Sequence, residues 1–267
     1  MNKLLVGIVF LLGGSAAETA AGLLNASASP ALDSPTYNWT GFYLGGDLGG
    51  AWGRSDLRTT AALAGPGSYF QITTIPVIRA VGAQNTKLSG VTAGMAGGYD
   101  WQTGNLVLGL ATDFGYLDLH GSTFGSAIYP CCAPTGFFLN SSVRSDWLFT
   151  ARPRIGLAHD GLLFFVTGGL ALSRLNSGFA FNDNNSAAAA SGSISNTAAG
   201  YAYGGGIEAR ASSHWTVKAE YLHVDLGRVS GTSANLTSSF GPSPFNVFTH
   251  SADLRANLVR LGVHYRF

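Results

Sequence analysis

The residues best equipped for chemistry are charged side chains that recur at alternate positions: Arg152 and Arg154, Glu208 and Arg210, Lys218 and Glu220, and Arg260 with Arg266. A spacing of two, or of six for Arg260 and Arg266, puts both members of each pair on one face of an extended strand. Followed through the chain, that face holds Asp47, Asp100, Asp113, Arg152, Arg154, Glu208, Arg210, Lys218, Glu220, Arg260 and Arg266, five acids against six bases. Unpaired buried charge is costly, so charges in near balance on one face are expected to ion-pair with each other.

Other chemistry finds little support. The six histidines (120, 159, 214, 223, 250 and 264) form no H-x-x-x-H or H-E-x-x-H pair, and the two cysteines are adjacent, so neither metal nor cofactor is expected. Cys131 and Cys132 lie in a Pro-flanked loop, where free, vicinally bridged and intermolecular states are all open. A lipid hydrolase built on His223 needs a nucleophile, a base and an orienting group, and residues 222–228 contain no Ser, so no enzyme is expected. No strand-to-helix passage follows Gly204, Gly205 and Gly206 to make a phosphate cradle. Fifteen Lys and Arg against 14 Asp and Glu leave a net charge of +1, without the basic footprint of a nucleic-acid partner.

The elements that position the charges read as strands. Charged residues make up 11% of the chain and hydrophobic ones 46%, against about 25% charged in a typical soluble domain. The apolar run at 4–12 is far shorter than the roughly 20 residues of a membrane-crossing helix. Beyond Asn38, alternating polarity marks eight strands at 39–55, 88–102, 106–119, 142–159, 162–176, 198–211, 215–229 and 251–267. Tight turns at 103–105, 160–161 and 212–214 alternate with long connections at 56–87, 120–141, 177–197 and 230–250. The expected fold is all-β, an eight-stranded antiparallel up-and-down transmembrane β-barrel with four long outer loops and three short periplasmic turns.

Strand parity assigns the faces. In the last strand Val259, Leu261, Val263, Tyr265 and Phe267 share one face, and the same parity sends Phe42, Leu44, Leu48, Met95, Leu108, Leu110, Phe114, Phe149, Ile155, Val217, Ala219 and Tyr221 outward. The charged set then points inward, the reverse of a soluble ligand-binding barrel. An eight-stranded interior is just wide enough for side chains to fill. The expected state is an ion-paired plug, with a narrow, weakly conducting path as the alternative. Trp39, Tyr99, Trp101, Trp215 and Tyr265, with Tyr37 and Phe267, are expected in a lower aromatic girdle, and Trp147 in an upper one.

Lys3, the apolar run and the small residues after it read as a secretory signal over 1–28, cleaved after Ala17 or Ala28, the later site being favoured. Residues 29–38 would be a short periplasmic segment and 39–267 the barrel.

Six segments in order carry a resemblance: Asn38-Trp39-Thr40-Gly41-Phe42-Tyr43-Leu44-Gly45-Gly46, Gly98-Tyr99-Asp100-Trp101-Gln102, Arg154-Ile155-Gly156, Val166-Thr167-Gly168-Gly169-Leu170-Ala171, Glu220-Tyr221-Leu222 and Val263-His264-Tyr265-Arg266-Phe267. With these the chain resembles the small porin-like outer-membrane proteins of alphaproteobacteria. It departs from their common pattern at Ala111, often acidic there, and at Asp100, often Asn. The resemblance implies residence in the outer membrane, contact with its lipid and lipopolysaccharide, and an assembly signal at Val263, Tyr265 and Phe267 read by the outer-membrane assembly machinery. It implies an envelope barrel. The alternatives are a surface-recognition module acting through Tyr69 and Phe70 of the first loop, its partner unspecified, and a lipid-modifying enzyme.

Overall fold

The computed structural model describes residues 37–62 and 67–267. The expected signal segment at 1–28, its cleavage sites and residues 29–36 lie outside the described residues. Eight long strands dominate: β1 (Gly41–Ala62), β2 (Ala83–Thr103), β3 (Leu106–Ile128), β4 (Gly136–His159), β5 (Leu162–Asp183), β6 (Ala189–Arg210), β7 (Trp215–Ser233) and β10 (Val247–Arg266). Two short strands, β8 (Thr237–Ser238) and β9 (Gly241–Pro242), lie between β7 and β10, and one helix, α1 (Thr74–Val81), follows β1. Each long strand pairs antiparallel with its neighbour in sequence, β7 pairs with β10, and β10 pairs with β1, so the sheet closes on itself without an edge.

At the expected short-turn end the hairpins are tight for a local reason. Asp160 and Gly161 have φ of 47° and 79°, the two positive values that a two-residue turn needs to match strand twist.

At the other end the structure corrects the expected loops. Much of what reads as loop continues the ladder: β3 runs on to Ile128 and β4 begins at Gly136, while β5 and β6 are separated only by residues 184–188. The cause is a change of polarity along each strand. On β1 the outward residues Phe42, Leu44, Leu48 and Trp52 give way to Arg54, Asp56 and Arg58. Inward, Tyr43 and Asp47 give way to Ala51, Leu57 and Ala61. The ten steps from Phe42 to Trp52 cover roughly 23 Å at about 3.3 Å each and near 45° tilt, the height of an apolar membrane band. Above it the barrel has the polarity of a soluble protein, with its apolar side chains inside.

That upper interior is filled. Leu57, Leu117, Leu119, Val143, Leu175, Leu222, Val224, Leu226, Leu254 and Leu258 form one buried cluster inside the wall. Over them Phe137, Phe179, Phe181 and Phe248 meet Phe70 and Ile78, so the segment after β1 folds into the barrel mouth. The clustered charges of the inward face therefore lie in its lower half.

Bulges near the changeover adjust the parity. In β4 the buried positions pass from Leu148, Thr150 and Arg152 to Ser145 and Val143, where the register shifts. In β7 they pass from Leu226 to Val229, opposite a shift between Ala252 and Leu254. An extra residue in one strand flips every later side chain to the other face.

Candidate functional site

The charges occupy the lower lumen as two stacked clusters. The lower cluster is built where β1, β2, β4, β6 and β10 end near the short turns. Arg154 donates through Nε to Asp100 at 2.8 Å, through its second guanidinium nitrogen to the other Asp100 oxygen, and to Glu208 at 3.2 Å. Arg266 reaches Asp100 at 2.9 Å, Glu208 at 3.0 Å and the Trp39 carbonyl at 2.9 Å. Thr216 donates to Glu208 at 2.6 Å. Both guanidinium groups also lie over the Tyr43 ring, at 4.5 and 5.0 Å from its centre.

The upper cluster centres on two carboxylates that share two arginines. Arg152 donates to Asp113 at 2.7 Å and to Glu220 at 3.0 Å, while Arg260 donates to Asp113 at 2.8 Å and to Glu220 at 2.6 Å. Thr150 donates to Asp113 at 2.6 Å and accepts from Arg152 at 2.8 Å. Lys218 sits between Asp47 at 2.9 Å and Glu220 at 3.5 Å. His264 lies fully buried, 3.2 Å from Asp47 and 4.0 Å from Glu208, and joins the clusters. Room for two of the carboxylates comes from glycine: a Cβ at Gly262 or at Gly109 would overlap the Asp47 or Asp100 side chain.

Ten of the eleven expected lumen charges meet here, and the structure corrects the eleventh. Arg210 is exposed at the short-turn mouth, donating to the Ser212 carbonyl at 3.2 Å and lying over Tyr37. It sits at the last position of β6, where the side chain reaches water rather than lumen. Five acids then face five arginine and lysine side chains. His264 and Tyr43 were not in the expected set, although they share inward parity with Arg266 and Asp47.

Among the expected girdle residues, Trp101 and Trp215 stand exposed on the outer wall, with Tyr99 and Tyr265 half-buried beside them. Phe42 packs edge-on against Tyr99, and Trp215 against Tyr265. Trp39 is a correction. It is 1% exposed, buried at the foot of the lumen beneath Arg266, because it precedes β1 and turns inward where the barrel ends. Trp147 is half-buried on the outer wall beside Phe114. Trp52, Tyr116 and Tyr201 also stand outward at the upper edge, each the aromatic nearest to where its strand turns polar, with Tyr203 one outward position below Tyr201. Val263 and Phe267 are exposed on the outer wall, and the Phe267 amide donates to the Phe42 carbonyl at 3.0 Å.

The crown holds a separate polar group. Tyr69 and Tyr129 both donate to Asp183, Tyr129 at 2.8 Å, and the Ala188 amide donates to the same carboxylate at 2.8 Å. Burial, then the hydrogen bond to Asp183, push both phenols up, so they remain donors. Phe70 is 3% exposed and packs against Phe181 and Phe248, so it is a core residue of the mouth and not a projecting contact. Cys131 and Cys132 are joined to each other. His223 is held by Asn257 at 2.9 Å. Among the described residues no group of three His, Cys, Asp or Glu side chains is placed to hold a metal ion, and no helix is long and apolar enough to cross a membrane.

A closed eight-stranded sheet with an apolar outer belt and a charge-paired interior defines a transmembrane β-barrel. Residues 12–267 match the family model described as outer membrane protein beta-barrel domain, and the chain belongs to that family. It is 31% identical to the 31 kDa outer-membrane immunogenic protein of Brucella melitensis, over 90% of this chain and 89% of that one. It is 25% identical to the 22 kDa outer membrane protein of Rhizobium leguminosarum, over 74% of this chain and 69% of the other. Among solved structures it is similar to Ail, the attachment invasion locus protein of Yersinia pestis, at 12% identity and a TM-score of 0.32, over 83% of this chain and 99% of that one. The protein resides in the outer membrane.

Proposed function

We propose that the protein is a closed envelope barrel whose lumen passes no solutes, and that its work lies in the wall and the crown. The observation that supports this reading is the continuous filling of the interior, two charge clusters below and an apolar cluster above. Beside the upper charge cluster, a cavity lined in part by Asp47, Thr92, Asp113 and Arg260 measures only about 10 Å³, room for roughly one water-sized sphere. The charges hold strand register across the lumen instead of lining a path. Planar-bilayer conductance of the refolded protein tests this, alongside an Arg260→Ala, Glu220→Ala double variant. A silent parent is expected; discrete openings in the parent that change in the variant would make the lumen a pore.

A second reading is surface recognition. Ile72, Phe240 and Phe245 are exposed at the crown, Phe240 by 87%, and the Brucella relative is named for its immunogenicity. These residues take the place of Tyr69 and Phe70 as contact candidates. Their replacement by Ser is expected to reduce adsorption of surface-binding antibodies or phage without altering the barrel. The proposal includes delivery to the outer membrane by a cleaved signal at 1–28 and assembly through the outward face of Val263, Tyr265 and Phe267. It assigns no catalytic step.

A further inference from the structure

The outer wall carries three cations in one line. Arg54 of β1 lies directly opposite Lys87 of β2 on one side and Arg255 of β10 on the other. Opposed residues stand about 5 Å apart, and like charges so placed repel. Arg255 has an acidic partner, Asp225, at 3.2 Å. Among the described residues Arg54 and Lys87 have none within ion-pair distance. Asp56, on the same strand, is engaged by Asn85 at 2.6 Å. Across this part of the outer wall Arg54, Arg58, Lys87, Arg228 and Arg255 outnumber Asp56, Asp225 and Asp253 by two positive charges.

The rows beneath it form a graded surface. One step down, Trp52 lies opposite Ser89 and Asn257, and it is 47% exposed. One step further, Gly50 lies between Val91 and Val259, and a Cβ on Gly50 would meet nothing within 4 Å. The missing side chain leaves a shallow slot between Leu48 and Trp52, at the depth of acyl chains. Cations, a half-wet indole and an apolar slot thus follow one another down the same three strands, in the order of an anionic headgroup, its junction and its tails.

We propose that Lys87, Arg54 and Arg255 bind the phosphate of a phosphorylated glycolipid of the outer leaflet, with Trp52 against its headgroup and the Gly50 slot holding acyl chain. Charge complementarity selects the occupant, because a neutral lipid would leave the row repelling itself. The inference rests on the barrel's place in the outer membrane with its crown outward. It does not depend on a closed lumen, and conductance reads that question separately.

The test uses the refolded full chain in uncharged detergent micelles, with purified bisphosphorylated lipid A or its dephosphorylated form added and retention measured by native mass spectrometry. The parent is expected to retain the phosphorylated form about tenfold more tightly, and an Arg54→Gln, Lys87→Gln double variant to lose that preference. Arg174→Gln, on β5 across the barrel, should keep it. Without lipid, the double variant should unfold at the same or a higher urea concentration than the parent, because repulsion has been relieved. Lys87→Gln alone serves if the double variant does not refold. Equal retention of the two lipids by the parent, or an unchanged preference in the double variant, would overturn the proposal. Loss of the preference in millimolar inorganic phosphate, with total lipid retention unchanged, would assign the row to a free anion and would also overturn it.

Discussion

At the scale of single residues, the lumen charges differ in what they hold. Glu220 receives Arg152, Arg260 and Lys218, so Glu220→Ala leaves three buried cations short of a partner. Removal of one member of a buried pair costs about 3–5 kcal/mol, and a drop of that order in urea-unfolding stability in micelles is expected. Arg210→Ala, at the exposed mouth, should stay within about 0.5 kcal/mol of the parent. His250 predicts a pH dependence. It lies above the membrane-spanning stretch of β10, packed on Phe179 with ring centres 4.0 Å apart and bonded to Ser233 at 2.9 Å. Burial lowers its pKa from the ordinary 6.5 to about 4. The folded state thus binds fewer protons than the unfolded chain, so this contribution is complete above pH 6.5 and is lost as pH falls toward 4. His250→Gln should remove that component of the slope in unfolding midpoint against pH. The charges themselves were readable from spacing of two; His264 was not, because a lone histidine carries no sign until Asp47 and Glu208 surround it.

At the scale of elements, the strands do two jobs along one length. Their lower halves face lipid outward, and their upper halves enclose a soluble-type core capped by α1 and Phe70. Phe70→Ala should therefore cost about 3–5 kcal/mol, as for a large core truncation. Bilayer conductance of that variant should stay as silent as the parent, since the charge clusters lie below; openings would move the seal to the cap. The lower strands and the tight turns were legible because apolar and charged side chains alternate there. The upper ladders were not, because Gly-, Ser-, Ala- and Asn-rich stretches such as β6 gain strand character from pairing, and bulges in β4 and β7 break strict alternation.

At the scale of the whole molecule, the belt of outward apolar residues sets how the barrel sits. Met95 stands 63% exposed on the outer wall, midway along the belt between Trp101 and Ser89 on β2. Met95→Arg should destabilise the barrel by about 2–4 kcal/mol, the cost of a cation near the bilayer midplane. Ser122→Arg, exposed on β3 above the belt, should fall within about 0.5 kcal/mol of the parent. Both are read by urea titration of the barrel refolded into vesicles, and equal effects at the two sites would mean that the belt has been placed at the wrong height.

The sequence by itself determined the strand count, the closed antiparallel order, the outward belt and every Asp, Glu, Arg and Lys of the paired clusters, since period-two alternation is a property of a single strand and survives without its neighbours. Only the tertiary structure decided where the wall changes polarity, that the first long connection turns inward as a cap, that Trp39 and Arg210 exchange their expected surroundings, and that Lys87, Arg54 and Arg255 stand in one line. Each of these depends on register between strands that are distant in sequence, and pairing across the barrel, not local pattern, sets that register.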